Sequence, residues 1–288
     1  MPDVKKHLFC FGFGYSAKAL ARQLPPDEWR ITGTSRSRDG CDAIRAAGHE
    51  AVLFDGQTPM DPSALDGVSH VLHSIAPAEK GDPVLRLAGD DLAARAGQIA
   101  WFGYLSTTGV YGDRGGGWVD ELSPLEPSTE RGRARLEAEA GWLGMRDAFG
   151  LAVHLFRLAG IYGPGRNQVE GLRNGTARRI IKPGQVFSRI HVEDIAGILR
   201  ASMARPDPGT AYNVCDDEPA PPQHVVAWAA ELIGVEPPPA VAFEDAELSP
   251  MAKSFYAESK RVSNARVKNE LGYEFRYPTF REGLKALV

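Results

Sequence analysis

Cysteine is scarce: the 288 residues carry three, Cys10, Cys41 and Cys215, far apart and odd in number. No metal-like spacing links them, and at least one thiol stays unpaired, so the chain reads as cytoplasmic, from a reducing compartment. Hydrophobic continuity is also lacking. No stretch approaches the roughly eighteen consecutive apolar residues of a membrane helix, so no membrane partner is expected. Lys5-Lys6, the run Leu8 to Tyr15 and Ala17-Lys18-Ala19 mimic a short secretion signal, but Gly12 and Gly14 interrupt the run. Positive charge is not in excess either: 33 Lys and Arg stand against 37 Asp and Glu, a formal net charge of -4. That balance gives no reason to expect nucleic acid as a partner. There is no Gly-x-Ser-x-Gly elbow and no His- or Cys-rich metal motif, so neither a hydrolase nucleophile nor a bound metal is expected.

What the chain does have is an ordinary globular composition, 43% hydrophobic and 24% charged, long enough for one large domain or two. Short apolar runs alternate with helical patterns through the first half. Strands are expected at His7–Phe11, Trp29–Thr34, Ala51–Phe54, His70–Ser74, Ile99–Ser106 and Ala152–Leu158. Helices are expected at Ser16–Leu24, Cys41–Ala47, Pro83–Ala94 and Thr129–Phe149, then Val192–Ala204, with a strand at Thr210–Val214. The alternation is that of an α/β chain with a doubly wound parallel sheet. Pro219–Pro222 and Pro237–Pro239 punctuate a last part of short helices, such as Gln223–Ile233 and Ser263–Leu271.

The first strand runs into Gly12-Phe13-Gly14-Tyr15-Ser16-Ala17 and then a helix. This is a dinucleotide loop with Ala17 in the third small position. The first glycine permits the tight turn, the second lets backbone approach a pyrophosphate, and the helix start offers N–H groups to the anion. About 20 residues on, where an Asp or Glu would hold a ribose 2′-hydroxyl, stands Thr34-Ser35-Arg36-Ser37-Arg38. Arg36 suits a 2′-phosphate, with Ser35 or Ser37 donating, so NADP is expected over NAD. The alternative is a solvated turn. Asp55, after the third strand, is read as an adenine contact or as a turn carboxylate.

Five further segments follow in order: Tyr104-Leu-Ser-Thr-Thr-Gly-Val-Tyr-Gly112, Asp120-Glu121-x-x-Pro124-x-x-Pro127, Arg157-Leu-Ala-Gly-Ile-Tyr-Gly-Pro-Gly165, Arg189-Ile-His-Val-Glu-Asp194 and Tyr212-Asn-Val214. Together they resemble the extended short-chain dehydrogenase/reductase family, the NAD-dependent epimerase/dehydratase group. The resemblance implies an NADP-binding Rossmann domain, 1–163 plus 190–215, and a smaller C-terminal α/β substrate lobe, 164–189 plus 216–288. It implies an oxidoreductase or epimerase-like activity on a small-molecule substrate, phosphorylated or nucleotide-linked, and a homodimer; Trp142, Leu143 and Met145 are a candidate dimer face or core.

The resemblance also assigns roles. Thr107 orients the substrate oxygen, with Thr108 beside it, and Tyr111 is a second phenol candidate or a packed strand-end residue. His73 shapes the loop over the cofactor or is a satisfied core histidine. Aligning Leu136-Glu137-Ala138-Glu139 with the stretch after the family's Tyr-x-x-x-Lys puts Arg131 in the Tyr place and Arg135 in the Lys place. A guanidinium does not exchange a proton near neutral pH, so Arg131 cannot replace the phenol, while Arg135 can hold a ribose or phosphate. The pair Tyr256-x-x-x-Lys260 reads as a coincidence of spacing. Asp194 reads as a helix cap. Arg166, Arg173, Arg178, Arg179, Lys182 and Arg189 form a basic stretch, with Arg166 and Arg189 as candidate contacts to an anionic substrate, or else a solvated face or subunit contact. The missing Tyr and Lys also allow a second class of protein, a non-catalytic NADP(H) sensor.

Overall fold

The computed structural model describes residues 5–288. Its first half contains β1 (Lys6–Phe11), α1 (Tyr15–Arg22), β2 (Trp29–Ser35), α2 (Arg38–Ala46), β3 (Glu50–Leu53), β4 (His70–His73), α3 (Pro83–Ala94) and β5 (Trp101–Thr107). The middle holds β6 (Trp118–Val119), α4 (Glu130–Phe149), β7 (Val153–Leu158), β8 (Gly160–Tyr162), α5 (Gln168–Arg173), β9 (Arg179–Ile181) and β10 (Arg189–His191). The last part holds α6 (Val192–Ala204), β11 (Ala211–Val214), α7 (Pro222–Leu232), β12 (Ala240–Ala242), α8 (Pro250–Tyr256), β13 (Arg261–Val262), α9 (Ala265–Leu271) and α10 (Phe280–Lys285). No helix among the described residues is long and apolar enough to cross a membrane.

The chain forms two compact units. The first comprises residues up to 107, 133–157 and 196–212, and the second 108–132, 158–195 and 213–288. These borders differ from the lobe borders expected at 163 and 190.

A seven-stranded sheet of order β11-β7-β5-β4-β1-β2-β3 dominates the first unit. The pairs of β1 with β2 and β4, of β2 with β3 and of β4 with β5 are parallel. This is the doubly wound Rossmann arrangement, whose strand order reverses between β1 and β4. Buried on both faces, β1 carries the apolar run Leu8–Phe11, and β7 is buried along its whole length although His154 and Arg157 interrupt its apolar residues. Phe9, Phe11, Phe54, Phe102 and Trp142 share one core. Trp142 is fully buried, its ring tilted against Phe102 with centroids 4.4 Å apart, and the half-buried Leu143 and Met145 pack against the same core.

Local chemistry sets the helix ends. Asp82 caps α3 by accepting from the Val84 and Leu85 amides, with Pro83 at the first helical position. Ser37 caps α2 by accepting from the Gly40 amide, which starts that helix at Arg38 rather than Cys41. A buried network pins α4 to the sheet: Arg157 donates to Glu139 through Nε and Nη2, the closest contact 2.8 Å, and Ser106 Oγ donates to Glu139 Oε1 at 2.5 Å.

The second unit is built from parallel strand pairs, β8 with β10, β9 with β12 and β6 with β13. Strands of two or three residues are too short for a periodicity to show, and these went unread. Here β10 pairs with β8 and lies outside the seven-stranded sheet, whereas β11 joins it. Tyr162, Val169, Val225, Phe280 and Leu284 form the unit's core. Asp194 does not serve as a cap. Its carboxylate accepts from the Tyr273 hydroxyl and from the Arg276 and Tyr277 amides, tying the C-terminal segment to α6.

Candidate functional site

The glycine loop is held from both sides within the first unit. Gly12 has φ +84°, a left-handed conformation, and a Cβ there would stand 2.8 Å from Ser74 Oγ and 3.1 Å from Ile75 Cγ1. Its amide donates to Thr34 Oγ1 at 2.8 Å, its carbonyl accepts from Ser74 Oγ at 2.8 Å, and the Phe13 amide donates to the Thr34 carbonyl at 3.1 Å. Thr34 and Ser74 thus fix the loop, a role invisible in a motif read along the chain. Gly14 is the N-cap of α1, without a side-chain cap and with no acidic residue in the first turn. The start of α1, Tyr15, Ser16 and Ala17, therefore carries amides with no intrahelical acceptor and a positive dipole end, the requirements of an anion site. Ala17 is fully buried, which explains the small third residue. Gly12→Ala is expected to weaken dinucleotide affinity by at least about tenfold, since it adds backbone strain and crowds Ser74; isothermal titration calorimetry checks this.

At the end of β2, Arg36 is exposed and makes no hydrogen bond or ion pair among the described residues. Ser35 and Ser37 flank it, but both hydroxyls already take part in the turn: Ser37 Oγ accepts from Gly40 and Ser35 Oγ from the Ser37 amide at 3.4 Å. Asp55 closes its own turn, its carboxylate accepting from the Gln57 and Thr58 amides and the Thr58 hydroxyl, contacts that hold it below the usual carboxylate range. The turn reading of Asp55 describes these contacts.

His73 is a satisfied core histidine. It is fully buried, Nε2 meets Asp82 Oδ2 at 2.7 Å and Nδ1 faces the Ile75 amide at 3.3 Å. Both ring nitrogens are thus engaged by the β4–α3 segment of the first unit. Trp142 Nε1 also donates to Asp82 Oδ2, at 3.1 Å.

Thr107 ends β5 and Thr108 opens the short turn that follows; both are half-buried. Arg135 lies one turn before Glu139 on α4; its Nη1 donates to the Leu105 carbonyl and its guanidinium sits 5.7 Å from the Tyr104 ring centroid. It is a fixed cation beside β5. In the second unit, the Arg131 guanidinium lies 4.6 Å over the Phe255 ring. Tyr111 is fully buried and donates to Asn213 Oδ1 at 2.7 Å, so it packs the strand-end turn rather than presenting a phenol. Tyr111→Phe is expected to lower the unfolding free energy by about 1–3 kcal/mol through the orphaned Asn213 oxygen, with dinucleotide affinity unchanged, as denaturant titration and calorimetry would read.

The basic stretch is not one face. Arg178 and Lys182 donate to the carbonyls of Glu247 and Tyr256, and Arg189 Nη1 donates to those of Phe187 and Ala220 at 2.8 and 3.1 Å. Arg166 is exposed, and its backbone bridges to Gly163. Lys260, read as a coincidence, is buried and donates to the Gly112 carbonyl and to Glu258, each at 2.7 Å, holding the loop after Tyr111. Nothing in the sequence marked that lysine as buried.

Known proteins match this arrangement. Residues 91–215 match the model of the NAD dependent epimerase/dehydratase family. Protein YeeZ of Escherichia coli (strain K12) is 31% identical over 95% of this chain and 97% of its own length. A functionally unknown conserved protein from Silicibacter pomeroyi DSS has a solved structure 58% identical to this chain, covering 98% of each, with a TM-score of 0.90. The fold alone is shared with dTDP-glucose 4,6-dehydratase from Bacillus anthracis str. Ames, solved in complex with NAD, at 18% identity, 99% and 95% coverage and a TM-score of 0.76.

Proposed function

We propose that this chain, which belongs to the NAD-dependent epimerase/dehydratase family in its YeeZ-like branch, is an NADP-dependent oxidoreductase or epimerase-like enzyme acting on a small or nucleotide-linked substrate. The observation that carries the cofactor choice is Arg36, exposed and unpaired at the end of β2, where a carboxylate would otherwise repel a 2′-phosphate. The residues fit the dinucleotide. Gly12 and Gly14 admit the pyrophosphate beside the first-turn amides of α1, the opening left by Gly14 being free of any atom that a Cβ would meet within 4 Å. Arg36 takes the 2′-phosphate, and Arg135 stands as a fixed cation where the family's lysine would hold the ribose. Bound NADP supplies hydride transfer. Thr107 and Thr108 orient the substrate oxygen, and Arg166 and Arg189 face its anionic part. In this reading Arg131 occupies the place of the proton-relay tyrosine, so the proton donor is a group other than that phenol.

The same arginines favour one alternative, an NADP(H)-sensing protein without turnover. A substrate panel of aldehydes, ketones and nucleotide sugars, followed by NADPH absorbance and by proton exchange with solvent, separates the two. Turnover with any member supports the enzyme; tight NADPH binding with neither turnover nor exchange across the panel supports the sensor.

A further inference from the structure

Arg131 stands where the family's relay tyrosine would stand, yet its guanidinium is engaged on an aromatic ring, 4.6 Å from the Phe255 centroid, and both residues lie in the second unit. The ring belongs to α8, which buries none of its seven residues. Met251 and Phe255, one turn apart on it, are 65% and 49% exposed. A helix this short does not hold itself together in water, because its nucleation costs more than so few hydrogen bonds return. Ser249 caps it by accepting from the Ala252 amide at 3.2 Å, which satisfies one amide of the first turn and leaves that balance as it is. The shape of α8 therefore depends on what it touches.

Those contacts lie at the surface. Past β12, long side chains from elsewhere in the unit reach the carbonyls of this segment: Arg178 donates to Glu247 and Lys182 to Tyr256. Lys182 also lies 5.1 Å from the Phe243 centroid, and the Tyr256 ring meets Phe187 edge-on at 5.5 Å. No side chain from 243 to 256 is buried. The two ends are fixed differently. Before the segment, Ala240 to Ala242 of β12 are in register on β9. After Ala257, Glu258 accepts from Ser128 Oγ at 2.6 Å and from Lys260 at 2.7 Å, its carbonyl accepts from Gln185 Nε2 at 2.7 Å, and the Ser259 amide donates to Asp113 at 2.8 Å. A surface segment with no buried anchor of its own thus spans two tethered ends.

We propose that residues 243–256 form a strap that opens and closes on the second unit, and that Arg131 is its latch, holding Phe255 by a cation–π contact. The two partners differ in footing: Arg131 rides in the first turn of the twenty-residue helix α4, Phe255 on the seven-residue α8. The guanidinium, which cannot relay a proton, has a positional task in place of the tyrosine's chemical one. The inference goes beyond the enzyme reading, since such a strap serves turnover and sensing alike.

Hydrogen exchange of the full chain, read as protection factors, tests both parts. α8 is expected to be at least about tenfold less protected than α7, whose Val225 and Ala229 are buried, because local opening exposes α8 without unfolding the unit. Phe255→Leu keeps an apolar side chain and removes the π face, and Arg131→Gln removes the charge. Each is expected to lower α8 protection about two- to fivefold, the size of an exposed cation–π contact. The double variant should lose no more than either single one, and α7 should be unchanged in all three. Arg173→Gln, an exposed arginine elsewhere in the unit, should leave α8 as it is. Both latch positions are at the surface, so the variants are expected to fold, and α7 protection checks this in the same experiment. Protection of α8 equal to that of α7 overturns the strap. Protection of α8 unchanged in both single variants, or losses that add in the double variant, overturns the latch.

Discussion

In the Arg36→Asp variant, NADPH is expected to bind about a hundredfold more weakly than in the unmodified chain, and NADH at least as well as before. The magnitude follows from the chemistry. A bidentate contact between a guanidinium and a phosphate is charge-assisted on both sides, hydrogen bonds to charged groups contribute about 1.5–3 kcal/mol, and 1.4 kcal/mol is tenfold. The substituted carboxylate adds repulsion toward the 2′-phosphate and offers an acceptor to a 2′-hydroxyl. Arg36 is exposed and makes no hydrogen bond or ion pair among the described residues, so the substitution is expected to leave the fold intact and to act on binding. Fluorescence titration with the two dinucleotides reads it. An unchanged NADPH affinity assigns the arginine to a solvated turn.

The largest effect on stability is expected at the buried pair of Glu139 and Arg157. Removing one partner leaves the other charge in a site where Arg157 is 5% and Glu139 2% exposed. Arg157→Met should therefore cost about 3–5 kcal/mol, while the double variant Glu139→Leu/Arg157→Met, which removes both charges, should recover most of that loss. Ser106 keeps one hydrogen bond to Glu139 in the single variant, which places the loss toward the lower part of that range. Equilibrium denaturation of the two single variants and the double variant gives the coupling directly. A double variant as unstable as the sum of the singles would show that the charges act independently.

The parallel sheet was legible where its strands are buried on both faces and carry short apolar runs, as Leu8–Phe11 in β1. The loop between β1 and α1 was legible from its small residues: Gly12 stands at φ +84°, Ala17 is fully buried and Gly14 leaves open space beside the start of α1. The residues that hold this loop were not. Thr34 and Ser74 lie 22 and 62 positions from Gly12, and only the fold brings their hydroxyls to it. The same limit applies to Lys260, 148 positions from the carbonyl it holds, and to Asp194, which reads as a cap until the segment 273–277 folds over it. His73 and Tyr111 are candidates by their place in motifs, but their burial and their partners Asp82 and Asn213 show only in the fold. The basic stretch failed as a unit because density of charge along a chain does not say where each side chain ends. Arg178, Lys182 and Arg189 donate to backbone carbonyls, while Arg166 and Arg173 are exposed. Four of the five borders of the two units fall within α4, β7, α6 and β11, and the fifth at the end of β5, where no composition shift or linker could have marked them.

The central claim is that the first unit binds a dinucleotide and that Arg36 selects the phosphorylated one. Its most direct test is calorimetric titration of the unmodified full chain with NADPH and with NADH under the same low-salt buffer. One site per chain and a preference for NADPH of at least about tenfold are expected, since a single charge-assisted contact contributes that much. NADH binding as tightly as NADPH, or neither binding at all, contradicts it.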